Sequence, residues 1–215
     1  MSRKLLQRPT TYLITSGQTT HDTTPASEEF LSLLALIRAA VAARVTLVQL
    51  REKLLRPRVL YELTERAARL TEGSATSLLV NDRADIARAA GASGVHLTTQ
   101  SLDAAVVRQT FGKDFLVGVS THTLAEATAA RDGGADFAVF GPVFDTPAKR
   151  ATGLGQLRAA AHALAPFPLL ALGGITLENA RDALRAGAHG IAAIRLFADA
   201  QNLSQVVRAF DSTET

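Results

Sequence analysis

The side chains equipped for chemistry gather at the ends of short apolar runs. Residues 45–50 (VTLVQL) lead directly into Arg51, Glu52 and Lys53. With a side-chain period of two, Gln49, Arg51 and Lys53 share a face with Val45 and Leu47. An amide and two cations on one face suit a diphosphate, because a guanidinium chelates two oxygens and an ammonium adds a point charge. A merely solvated loop is the competing reading. The run at 78–80 ends in Asn81 and Asp82. Asp82 is a candidate ligand for Mg²⁺, which binds with phosphates through one or two carboxylates; its alternative role is to cap a helix starting near Ala84. The run at 115–119 ends in Ser120, Thr121 and His122, two hydroxyls and an imidazole. A lone histidine is more often structural than catalytic, but this one sits where a reacting group would be placed.

Two further segments suit an anion. Residues 141–155 (GPVFDTPAKRATGLG) are too long for an ordinary connection of about 2–6 residues and carry Thr146, Lys149 and Arg150, as a lid would. The run at 168–172 ends in Gly173-Gly174-Ile175-Thr176, with Thr176 placed to cap the next helix. Paired glycines let backbone N–H groups approach an anion, and a helix N-terminus adds partial positive charge.

Eight strand-length runs carry these residues: 12–15, 45–50, 77–80, 94–97, 115–119, 137–140, 168–172 and 190–194. Helical patterns alternate with them at 27–43, 58–71, 84–90, 102–110, 124–132, 157–164, 177–186 and 203–210. Strict alternation argues for βαβ units and a parallel sheet. Three helix-to-strand junctions repeat a glycine after the last helical turn: AGASGV at 90–95, GGADF at 133–137 and AGAHGI at 186–191. A doubly wound sheet would use five or six units, whereas eight predict a single (β/α)₈ barrel with its chemistry at the carboxyl ends of the strands. The expected layout is a basic, flexible segment at 1–10, a barrel domain at 11–211 and a flexible tail at 212–215.

Composition narrows the function. Hydrophobic residues make up 47% and aromatics only 5%, so aliphatic side chains must fill the core. There is no cysteine, which rules out disulfides, thiolate metal sites and cysteine nucleophiles. A net charge of +3 without like-charge blocks suits small anions and falls short of a nucleic-acid footprint. With neither a secretory signal nor a long apolar span, the expectation is a cytoplasmic protein that binds no membrane, its oligomeric state open and a homo-oligomer included.

At these segments the chain resembles the thiamine phosphate synthase/TenI family. The matching stretches are VQLREK (48–53), VNDRADIA (80–87), GVHL (94–97), GVSTHTLAEA (118–127), GPVFDTPAK (141–149) and LGGIT (172–176), in the right order over nearly the whole chain. The resemblance implies a transferase that joins an aminopyrimidine diphosphate to a thiazole phosphate through a pyrimidine carbocation, with Mg²⁺ as cofactor. It implies Gln49, Arg51, Lys53 and Asn81 at the pyrimidine diphosphate, Asp82 at Mg²⁺ and Ser120 at the reacting group. It also implies Thr146, Lys149 and Gly174 at the thiazole phosphate, with Gly173 a further candidate beside Gly174. In the last phosphate loop, either Arg195 binds phosphate itself or it points away while Ala193 and Ile194 supply only backbone. Lys53, Ser120 and His122 are the candidate catalytic residues. Three departures stand out. Ser101 replaces the second Mg²⁺ carboxylate, Ala148 replaces a lid hydroxyl, and Arg195 replaces a phosphate-loop serine. Losing a metal carboxylate opens a TenI-like thiazole tautomerase with His122 as acid/base. A non-catalytic barrel that binds thiamine precursors is a third reading.

Overall fold

The computed structural model describes residues 9–211. The expected segment 1–10 therefore lies almost wholly, and the tail 212–215 wholly, outside the described residues. Eight parallel strands close into a barrel in chain order: β1 (Thr10–Ile14), β2 (Leu47–Leu50), β3 (Ser77–Asn81), β4 (Gly94–Leu97), β5 (Leu116–Thr121), β6 (Phe137–Phe140), β7 (Leu169–Leu172) and β8 (Gly190–Ala193). The helices are α1 (Glu28–Ala42), α2 (Pro57–Thr71), α3 (Ala84–Ala89), α4 (Ala104–Phe111), α5 (Leu124–Asp132), α6 (Leu154–Leu164), α7 (Leu177–Arg185) and α8 (Leu203–Asp211), with a 3₁₀ turn η1 (Arg195–Phe197) after β8. The chain is a (β/α)₈ barrel. By compactness it divides into two units, one of residues 12–95 and 194–211, the other of residues 9–11 and 96–193.

In the first unit, β1 pairs with β2 through Tyr12↔Leu47 and Ile14↔Gln49, and β2 with β3 through Gln49↔Leu79. Both faces of these strands are buried, which is why they read as continuous aliphatic runs. Helix α2 opens with Pro57 at its first turn, where a missing N–H is harmless, and buries Leu60, Leu63, Thr64, Ala67 and Thr71 at helical spacing. Its Arg66 guanidinium lies 5.3 Å from the Phe30 ring of α1.

In the second unit, β5 to β8 pair in sequence through Gly118↔Phe137, Ala138↔Leu169 and Leu170↔Gly190. Gly118 leaves room for a ring: a Cβ there would come within 2.3 Å of Phe137 Cζ. The three repeated junction glycines, Gly91, Gly134 and Gly187, all adopt positive φ (79°, 82° and 101°) just past α3, α5 and α7, as left-handed helix ends require.

Several boundaries shift for identifiable reasons. β1 begins at Thr10 because the Thr10 N–H donates to His189 O at 3.1 Å, a pairing across most of the sequence. β2 ends at Leu50, so Arg51 and Lys53 lie in the following loop and the period-two face expected for them stops at Gln49. Helix α6 begins at Leu154, three residues earlier than its apolar pattern suggests. No helix among the described residues is long and apolar enough to cross a membrane.

Candidate active site

Within the first unit the candidate residues sit at the carboxyl ends of β2 and β3. Gln49 is buried and fixed from both sides: Tyr12 OH donates to its Oε1 at 3.1 Å, and its Nε2 donates to Asn81 Oδ1 at 2.9 Å. This orients the Asn81 amide, its carbonyl oxygen engaged by Gln49 and its nitrogen on the opposite side of the group. Burial pushes the Tyr12 hydroxyl well above its ordinary pKa, so it remains a donor. Arg51 is half-buried, with its N–H donating to Thr15 Oγ1 at 2.9 Å, and Lys53 is exposed in the turn.

The competing reading of Arg51-Glu52-Lys53 as a solvated loop fails at its centre. Glu52 is only 3% exposed. It accepts from Thr15 Oγ1 (2.5 Å), Gly17 N (3.2 Å), Thr19 N (3.3 Å) and Thr19 Oγ1 (2.7 Å).

Asp82 is exposed and holds φ at 61°, a left-handed conformation uncommon for a residue with a Cβ and most accessible to Asn and Asp. It does not cap α3: the N-cap is Arg83, and no side chain caps that end. The capping alternative is thereby removed, and the strained backbone turns a free carboxylate toward solvent.

Within the second unit, Ser120 Oγ lies 2.9 Å from Nε2 of His96, a β4 residue 2% exposed. Burial lowers the His96 pKa to about 3, so the ring is neutral at ordinary pH. His122 is half-buried just beyond β5. Its Nδ1 hydrogen-bonds the Gly141 carbonyl, which can only accept, so Nδ1 carries a proton and Nε2 is the nitrogen turned away from that bond. Its backbone N–H donates to Glu126 Oε2 at 2.6 Å.

The loop after β6 is internally braced. Lys149 N donates to Thr146 Oγ1 at 3.0 Å while Thr146 Oγ1 donates to Lys149 O at 3.1 Å. The same segment, Asp145 to Ala151, lines an open cavity of about 670 Å³ with Lys149 and Arg150 on its wall. In this conformation the Thr146 hydroxyl serves its own turn. The Lys149 ammonium is exposed.

Gly173 and Gly174 have φ of 95° and 64°, and a Cβ on Gly174 would stand 2.6 Å from Asp145 O and 2.8 Å from Phe144 Cβ. The glycine pair is needed because the loop after β6 packs against it: Val143 N donates to Leu172 O at 2.7 Å and Phe144 N to Gly173 O at 3.1 Å. Thr176 caps α7 in a capping box with Asn179, whose Nδ2 also donates to Gly174 O at 2.8 Å. The N–H groups of Gly174 and Ile175 make no hydrogen bond among the described residues and are the donors available to an anion.

Ala193 ends β8, Ile194 follows it half-buried, and Arg195 opens η1 with its side chain exposed. The Ser101 hydroxyl is taken up locally, accepting from Thr98 N at 2.7 Å and lying 3.0 Å from Thr98 Oγ1. Among the described residues, no group of three or more His, Asp or Glu side chains is arranged to hold a metal ion.

The sequence pattern described as thiamine monophosphate synthase matches residues 12–197, from the middle of β1 to the end of η1. The chain belongs to this family. A thiamine-phosphate synthase of Chlorobium phaeovibrioides is 41% identical over 172 residues, covering 78% of this chain and 82% of its own. A Geobacter sulfurreducens protein, provisionally named for the same activity, is 48% identical over 166 residues, covering 75% of this chain and 78% of its own. Among solved structures, a thiamine phosphate pyrophosphorylase from Pyrococcus furiosus superposes with a TM-score of 0.77 at 29% identity, covering 94% of both chains.

Two residues of this family member were not singled out by sequence reasoning. Glu52 is flanked by two cations and looks solvated, and only its contacts 33 and 37 residues away reveal it as buried. His96 sits in an apolar strand run, and an unusual polar residue at a core position was the one available signal.

Proposed function

We propose that this chain is a thiamine phosphate synthase, joining hydroxymethylpyrimidine diphosphate to thiazole phosphate with release of pyrophosphate. The observation that carries the reading is the buried Tyr12–Gln49–Asn81 relay, which presents an oriented amide at the ends of β2 and β3 beside the Arg51 and Lys53 loop. Family membership and the named relatives support the same reaction class.

In this reading the Asn81 amide nitrogen and Gln49 hold the aminopyrimidine, while Arg51 and Lys53 take up the charge that grows on the departing pyrophosphate. The bond between the pyrimidine methylene carbon and the diphosphate oxygen breaks, and its electrons leave with pyrophosphate. The thiazole nitrogen then donates its lone pair to the same carbon. Ser120 contacts the reacting group, its hydroxyl held by the neutral His96 ring, which adds no positive charge to oppose a cationic pyrimidine. Gly174 N–H, Lys149 and Thr146 bind the thiazole phosphate once the Thr146 turn exchanges its internal bonds for the ligand. Arg195, exposed at the start of η1, is a further candidate cation for phosphate, the alternative being that Ala193 and Ile194 offer backbone alone.

Asp82 fits Mg²⁺ as one carboxylate among water and diphosphate oxygens, because its side chain is exposed and does not serve as a helix cap. When bound, Mg²⁺ would neutralise charge on the diphosphate leaving group. With the Ser101 hydroxyl committed to Thr98, the metal arrives largely with the substrate. Ser101→Asp is expected to lower the Mg²⁺ concentration for half-maximal coupling and Asp82→Asn to raise it. If a titration shows both variants at the parental midpoint, the metal assignment is wrong.

A second reading rests on His122. With Nδ1 tied to Gly141, its Nε2 could move a proton in a thiazole tautomerase. Coupling of the two precursors, followed by chromatography of thiamine phosphate, decides between them. A synthase makes product, and Lys53→Ala lowers kcat/KM by about 10²-fold, far more than His122→Ala does. Parental coupling by Lys53→Ala refutes the synthase site. Proton exchange without coupling identifies the tautomerase, and phosphate binding without either reaction a non-catalytic barrel.

A further inference from the structure

We infer that Glu52 is a positioning residue for the diphosphate cation Arg51, locking the loop after β1 against it. The proposal rests on the reading of Arg51 as a diphosphate ligand. Glu52 carries a buried carboxyl between two cations, but it pairs with neither: no ion pair joins it to Arg51 or Lys53 among the described residues. Its two oxygens instead receive two backbone N–H groups and two hydroxyls, all from residues 15–19. Four donors on two oxygens are the complement of an ionised carboxylate. The negative charge is thus absorbed by the β1 loop, and the guanidinium of Arg51 and the ammonium of Lys53 are left for an anion.

The same contacts reach Arg51. Thr15 Oγ1 donates to Glu52 Oε1 and accepts from Arg51 N at 2.9 Å, so one hydroxyl couples the buried acid to the backbone of the cation. Gly17, held by Glu52 through its N–H, lies directly against Arg51: a Cβ on Gly17 would stand 3.2 Å from Arg51 O and 3.6 Å from Nη1. With φ at 75°, this position favours a glycine in any case. Arg51 is therefore gripped at its N–H, its carbonyl and its guanidinium side by a loop whose shape Glu52 sets. A guanidinium held in place loses less rotamer freedom on binding a diphosphate.

Glu52→Gln keeps the volume but not the charge. Whichever side receives the new NH₂ faces the Gly17 or Thr19 N–H, a donor that cannot be turned around. Steady-state kinetics of the intact enzyme should show the KM for the pyrimidine diphosphate and the inhibition constant of inorganic pyrophosphate both rising about tenfold, the cost of one displaced charge-assisted bond. The KM for thiazole phosphate should stay at the parental value. Thr19→Val, which removes one hydroxyl from the cluster, should move the same constants in the same direction by less, and it serves where Glu52→Gln folds poorly. In an Arg51→Ala background, Glu52→Gln should add nothing further. A parental diphosphate KM in both variants overturns the proposal, as does an equal rise for both substrates or an undiminished effect in the Arg51→Ala background. Arg51→Ala alone with parental kinetics removes the underlying diphosphate reading. An impaired Arg51→Ala beside a normal Glu52→Gln removes only the role given to Glu52.

Discussion

Replacing Arg108 by alanine should be among the most damaging single changes to stability in this chain. Arg108 of α4 makes a 2.6 Å ion pair with Asp136, with side-chain exposures of 14% and 9%. It also donates to three carbonyls: Gly134 O at 3.0 Å, Gly112 O at 2.6 Å and Phe115 O at 2.7 Å. Asp136 in turn accepts from Val117 N at 2.8 Å, so the cluster ties α4 to the first residues of β5 and to the turn before β6. Removing one partner of a buried pair leaves the other charge uncompensated, which typically costs about 3–5 kcal/mol. Total stabilities run to roughly 5–15 kcal/mol, so the loss is a large share. At about 2–4 °C per kcal/mol for a chain of this size, the melting temperature should fall by roughly 10 °C. Circular dichroism melts and urea titrations of the parent, Arg108→Ala, Asp136→Asn and the double variant form a complete cycle. The double variant should lose less than the sum of the singles. An Arg108→Ala protein melting within about 2 °C of the parent would show that the pair is not worth what its burial implies.

Three more outcomes follow from the geometry. His96 has a folded pKa near 3, below its unfolded value of about 6.5, so the unfolded chain takes up a proton that the folded one refuses. Its contribution is therefore fully present above about pH 6.5 and is lost as pH falls toward 3, by up to about 1.4 kcal/mol per unit. His96→Asn should flatten the stability curve between pH 6.5 and 5, where carboxylates contribute little, and an unchanged slope there would refute the assignment. Gly174→Ala should raise the KM for thiazole phosphate about tenfold, since the added Cβ would stand 2.6 Å from Asp145 O and must displace the turn that carries the Gly174 N–H. A parental KM in a folded Gly174→Ala protein removes the phosphate role of that turn. In the same substrate titrations Thr146→Val should weaken thiazole phosphate binding and leave the pyrimidine diphosphate KM alone, and the reverse pattern would misplace the lid.

Much of the architecture was legible because local rules and tertiary demands agree. Buried parallel strands read as aliphatic runs, and the bounds of β4, β6 and α5 coincide with those expected from the sequence. Thr176 was readable as a cap because it stands directly before a helical pattern, and the structure adds Asn179 as the other half of its capping box. What escaped depends on partners distant in sequence. The Asp82 cap failed because the chain turns left-handed there and gives the N-cap position to Arg83. The shared face of Gln49, Arg51 and Lys53 required a strand longer than β2. Glu52 and His96 became visible only once β1 lay beside β2 and Ser120 came within reach of β4.

The Arg108–Asp136 cluster stands at the amino ends of β5 and β6, while Ser120, His122 and Gly141 stand at or just past their carboxyl ends. Within this unit, the buried ion-pair cluster and the side chains proposed to meet ligand are therefore separate sets. Substitutions in the loop after β6 leave the Arg108–Asp136 cluster intact, and changes to that cluster leave the carboxyl-end side chains in place. The usual trade between robustness and activity is relaxed here, which makes these loops a natural place to select for new phosphorylated substrates.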